Sequence, residues 1–106
     1  MSRRVVITGT GLLSPIGNNT QVFLDSLKNG VNGVDSITLF DTTNHSVKLA
    51  AELKINFEDY FPKHELNRID RFTAMAMVAS DEAIQQSGID NNQLDKNRIG
   101  VIIGSG

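Results

Sequence analysis

The stretch "VVITGTGLLSPIGNN", Val5 to Asn19, runs a β-branched segment straight into closely spaced glycines, the arrangement in which backbone amides can cradle a phosphate. A dinucleotide loop needs G-x-G-x-x-G, or Ala last, with a helix opening at once behind it. The third small residue lets that helix pack closely while its N-terminus faces the pyrophosphate. Gly9 and Gly11 satisfy the first two positions, but Ser14 holds the third, and Pro15, Gly17 and Asn18 favour a turn where the helix should begin. A loop of the G-x-x-x-x-G-K-S/T type fails more simply, because no lysine follows Gly17. These glycines therefore read as backbone-turn positions rather than a nucleotide site.

Ser14, Ser80 and Ser105 carry hydroxyls that could act as nucleophiles, but a serine needs an adjacent base and a third group to orient that base. The chain has two histidines. His45 lies in a polar stretch and His64 in the charged "PKHELNR", so both read as solvated surface residues. The terminal "GSG" lacks the G-x-S-x-G spacing of a nucleophile elbow. His64 and Glu65 lack the second histidine of a zinc-binding helix, and the acidic residues do not fall at calcium-loop spacing, so no metal site is expected. With no cysteine the chain has no disulfide, thiolate metal site or thiol nucleophile of its own. Lys63, His64, Arg68 and Arg71 form a modest basic cluster. On one helix Lys63, Asn67 and Arg71 would share a face with Arg68 beside it, either as a solvated face or as a surface that steers a small acidic protein.

The elements that must position these residues follow from apolar spacing. Arg4 to Thr8 enclose Val5, Val6 and Ile7, the pattern of a strand buried on both faces, as in parallel sheets. Thr20 can cap a helix with Phe23, Leu24 and Leu27 on one face, and Gly30 suits the left-handed position that ends it. "SITLF" and "SVKLAAEL", Ser46 to Leu53, suggest short extended segments. Asn56 can cap a short aromatic helix, and Pro62 suits the start of another. From about Arg71 to Ser87, Phe72, Met75, Ala76, Ala79 and Ala83 recur at helical spacing, with Asp70 as cap and Gly88 as stop. Met77 and Val78 add apolar surface off that stripe, which predicts a core helix packed on more than one side. After a polar loop around "DNNQLDKN", the run "RIGVIIGSG" repeats the opening pattern of β-branched strand into Gly-Ser/Thr-Gly. A buried parallel strand needs a crossover and neighbours, and nothing follows Gly106 here, so the sequence reads as truncated.

At 106 residues and 40% hydrophobic content the chain has the length and apolar residues for one domain. The formal net charge is -2 and the ten Lys and Arg residues are scattered, which points away from nucleic acid or an anionic membrane as the main partner. "MSRRVVITGTG" fits neither a signal peptide nor a membrane span, so a cytoplasmic location is the default and the sequons at Asn18 and Asn44 read as chance matches.

Taken in order, "RRVVITGTGLLSPIGN", "NGVNGV", "FDT", "AAEL", "IDRFTAMAMVASDEAI" and "RIGVIIGSG" resemble the N-terminal part of β-ketoacyl-[acyl-carrier-protein] synthases. The resemblance is closest to the synthase II type of bacterial type II fatty acid synthesis and covers essentially the whole chain. It implies an α/β thiolase-like fold (α/β/α/β/α), with residues 1–106 forming an incomplete first part of the N-terminal half, ahead of the catalytic cysteine region. It implies a decarboxylative Claisen condensation in which an acyl group passes to a cysteine and malonyl-carrier then loses carbon dioxide and attacks. None of the catalytic roles can be carried over, since there is no cysteine and neither His45 nor His64 stands in a matching motif. The chain alone is expected to be inactive. Lys63 and Arg68 match basic positions with which the family contacts its acidic carrier protein, whereas His64 and Asn67 stand where the family often has Lys or Arg. The implied partner is an acyl carrier protein bearing acyl and malonyl thioesters, with a homodimer at full length and no metal or organic cofactor in the chemical step. A non-catalytic carrier-binding module, and a condensing enzyme of polyketide or synthase I type, remain as alternatives.

Overall fold

The structure is a computed structural model that describes residues 2–89 and 93–106. The described helices are α1 (Thr20–Lys28), α2 (Lys63–Leu66) and α3 (Arg71–Ser87), and the strands are β1 (Asp35–Ser36) and β2 (Leu49–Ala50). Short 3-10 turns occupy Phe57–Asp59 and Lys96–Arg98. The chain separates into two compact units, one of Met1–Gly11 with Phe57–Gly106 and the other of Leu12–Asn56.

In the Leu12–Asn56 unit, the segment after the first glycines turns as expected instead of opening a helix. The Ser14 amide donates to the Gly17 carbonyl at 2.9 Å, and the Gly17 amide returns to the Ser14 carbonyl at 3.2 Å. Pro15 suits such a tight turn because its ring presets φ. The cap of α1 is Asn19 rather than Thr20: its side chain accepts from the Val22 amide at 2.9 Å, and Thr20 is already helical. Asn19 has the extended backbone and short acceptor that satisfy an orphan amide of the first turn. The helix ends at Gly30 as expected, with φ +63. The Gly30 amide donates to Leu27 at 3.2 Å and the Val31 amide to Ser26 at 3.0 Å, the paired bonds of a Schellman ending.

The two expected extended segments meet as an antiparallel ribbon in which Asp35 faces Ala50 and Ser36 faces Leu49. One further bond runs from the Ile37 amide to the Lys48 carbonyl at 2.9 Å. Beyond it the Glu52 carboxylate replaces the ladder, accepting the Thr38 amide at 3.1 Å, the Thr38 hydroxyl at 2.8 Å and the Leu39 amide at 3.2 Å.

In the other unit α3 spans the expected residues and stops at Gly88, which takes φ +67. Asp70 occupies the cap position, but its side chain makes no capping hydrogen bond, contrary to expectation. The most buried side chains of this unit are Phe57, Ala74 and Val78. Ala74 and Val78 lie one helical turn apart and off the expected stripe, of which Phe72 is exposed and Met75, Ala76, Ala79 and Ala83 are half-buried. Part of that stripe meets backbone instead of side chains. A Cβ on Gly9 would strike the carbonyl oxygen of Ala83, and one on Gly11 that of Ala79, so the opening segment lies directly on the helix.

The two predicted core strands need correction. Residues 4–8 and 99–103 enter no ladder among the described residues, and the described sheet is antiparallel and not parallel. Val5 is 90% exposed and Ile102 97% exposed, so these runs are not buried on both faces either. β-branched residues favour extended backbone, but a ladder also needs a second backbone alongside to exchange hydrogen bonds. Of the expected polar loop at 90–97, residues 90–92 lie outside the described residues. Its later part forms the turn Lys96–Arg98, capped by Asp95, which accepts from the Asn97 amide at 3.0 Å.

Candidate functional site

The basic cluster is the first candidate. Lys63 opens α2, with Pro62 before it in extended conformation at φ -61, as suits a helix start. The helix lasts only to Leu66, where Asn67 caps it and the Arg68 amide bonds back to the Glu65 carbonyl at 2.9 Å. Arg71 then begins a separate helix. The single helical face expected for Lys63, Asn67 and Arg71 therefore does not exist, because the chain closes one helix and re-enters another between them. Arg71 is also engaged elsewhere, its guanidinium lying over the Phe57 ring at 5.2 Å from the centroid. A cation over an aromatic face at such a site contributes about 0.5–1 kcal/mol. Lys63, His64 and Arg68 remain exposed on α2 and its exit turn.

The apolar side of α3 is the second. Phe72, Ala76, Met77, Val101 and Ile103 line an open cavity of about 450 Å³, with Ser80 and Ser105 also on its wall. A second hollow of about 370 Å³ lies between Tyr60, Phe61, Val78 and Ile84, and Met77 and Ser80 border both. Neither histidine lines these cavities, so Ser80 and Ser105 have no imidazole beside them there; the Asp81 carboxylate shares the second hollow with Ser80. His45 instead packs edge-on against Phe40, with ring centroids 5.4 Å apart. Ser14 is occupied within its own turn, where its hydroxyl accepts from the Ile16 amide at 3.2 Å. Among the described residues no group of three His, Cys, Asp or Glu could hold a metal ion. No described helix is long and apolar enough to cross a membrane.

Gly9 and Gly11 do not lie in a turn, contrary to the expectation that they serve as backbone-turn positions. The Thr10 amide donates to Oε1 of Gln86 at 2.6 Å and the Thr10 hydroxyl donates to the same atom at 3.2 Å. Gly9 and Gly11 flank this clasp and let the backbone approach the Ala79 and Ala83 carbonyls. Gln86, Glu52 and Asn18, whose amide donates to the Lys54 carbonyl at 3.2 Å, are structural side chains that residue patterns did not single out. Their partners lie 76, 14 and 36 residues away, and no local spacing marks such pairs.

Two carboxylates are tuned by their surroundings. Desolvation is the largest single influence on Glu52 and pushes it up, but the Thr38 hydroxyl, the Leu39 and Thr38 amides and the Lys54 charge together hold it below its ordinary value. The Thr43 hydroxyl first, and the Thr43 amide second, hold Asp41 below its own.

The family model of the beta-ketoacyl synthase N-terminal domain matches residues 2–106. The chain belongs to the beta-ketoacyl synthase family. It is 51% identical over 106 residues to 3-oxoacyl-[acyl-carrier-protein] synthase 2 of Staphylococcus aureus (strain COL), covering 99% of this chain and 26% of that protein. The corresponding synthase 2 of Vibrio cholerae serotype O1 is 40% identical over 105 residues, covering 98% of this chain and 25% of that protein. Among solved structures, the ishigamide ketosynthase/chain length factor superposes with a TM-score of 0.72 at 28% identity, over 92% of this chain and 23% of that one. The chain thus spans about a quarter of the length of these synthases. Its fold is the α/β thiolase-like fold expected from the sequence, present in part.

Proposed function

We propose that residues 1–106 form the opening segment of the N-terminal domain of a condensing enzyme of the synthase 2 type. That enzyme extends fatty acyl chains by decarboxylative Claisen condensation of an acyl thioester with malonyl-carrier. The carrying observation is the 51% identity to a 3-oxoacyl-[acyl-carrier-protein] synthase 2 along 99% of the chain. It outweighs the 28% identity to the ishigamide ketosynthase, so elongation of a fatty acyl chain is preferred to polyketide condensation.

The exposed apolar surface supports the same proposal. Among the described residues only Phe57, Ala74 and Val78 are buried hydrophobics, whereas Val5, Ile7, Val101 and Ile102 are each more than 80% exposed. β-branched runs of this kind belong in a covered sheet. The remaining three quarters of a synthase would supply neighbours for 4–8 and 99–103 and a cover for the α3 cavities. With no cysteine, residues 1–106 scaffold the condensation and do not perform it. Lys63 and Arg68 act as the carrier-docking residues, in a cytoplasmic homodimeric enzyme whose substrates arrive as acyl and malonyl thioesters on an acyl carrier protein.

A graft tests this. Residues 1–106 are joined to the remainder of the S. aureus synthase 2 in place of its own matching segment. Carbon–carbon bond formation is then assayed with malonyl- and acyl-carrier. The expected result is a soluble chimera with condensing activity. A chimera that folds like the parent synthase yet makes no condensation product would overturn the assignment.

A further inference from the structure

We draw no further inference here: the strongest candidate, the apolar cavity beside α3 between Phe72, Met77, Val101 and Ile103, belongs to the exposed face already assigned to the rest of a synthase, and nothing in the structure shows which segment would cover it.

Discussion

Substituting Gly11→Ala places a methyl group where the opening segment rests on α3. The added Cβ would sit 2.9 Å from both the Ala79 carbonyl carbon and the Ala83 amide nitrogen, and closer still to the Ala79 oxygen, whereas ordinary contact begins near 3.4 Å. The Ala79 oxygen is the nearest atom and sets the displacement, so the segment must retreat by more than about an ångström, since the helix backbone cannot yield without breaking its own hydrogen bonds. Overpacking of this kind costs about 1–3 kcal/mol. Retreat also strains the 2.6 Å bond from the Thr10 amide to Gln86, worth about 0.5–1.5 kcal/mol. The lower entropy of the unfolded alanine chain offsets about 0.4–1 kcal/mol. A net loss of about 1–3 kcal/mol remains, which raises the opening equilibrium of this contact roughly five- to hundredfold. Hydrogen exchange at Thr10, Ala83 and Gln86 reads that change in the synthase 2 chimera. The chimera with Gly11 intact is the control. If the two exchange alike, close backbone packing is not what Gly11 provides.

Three other outcomes are expected. Asn19→Ala removes the acceptor for the Val22 amide and should destabilise α1 by about 1 kcal/mol, seen as faster exchange at Val22 and Phe23; unchanged exchange would return the capping role to another group. Glu52 binds its proton less readily when folded, so its stabilisation is complete above the ordinary carboxylate range and disappears as pH falls through its lowered folded value. NMR shifts of the Thr38 and Leu39 amides should therefore move only at pH below the ordinary glutamate range, and Glu52→Gln should abolish that titration; a flat profile in the parent would refute the clasp. Charge reversal at Lys63 and Arg68 in the chimera should weaken carrier binding and flatten its salt dependence with the acyl site untouched, and equal affinities would remove both residues from the docking surface.

Local chemistry was legible where neighbours in sequence settle it. The extent of α3, its stop at Gly88, the Gly30 ending of α1 and the turn at Ser14–Gly17 all follow from apolar spacing and from backbone preferences acting within a few residues. The resemblance to condensing enzymes was legible for a different reason: several motifs in order carry more information than any one loop. The cap of α1 was misplaced by one residue, since Asn19 and Thr20 are both competent and only backbone conformation chooses between them.

The candidate docking face was legible in its residue types but not in its arrangement. Helical spacing put Lys63 and Arg71 on one face, while the chain breaks at Asn67 and sends Arg71 onto Phe57. Composition and order by themselves determined the family, the long helix and the absence of a thiol nucleophile. Only the tertiary structure decided that Gly9 and Gly11 are contact points for α3, that Gln86 and Glu52 hold distant backbone, and that 4–8 and 99–103 have no ladder among the described residues. Propensity is a property of a segment, but close approach and ladder pairing are properties of two segments, and the second partner is set by the fold.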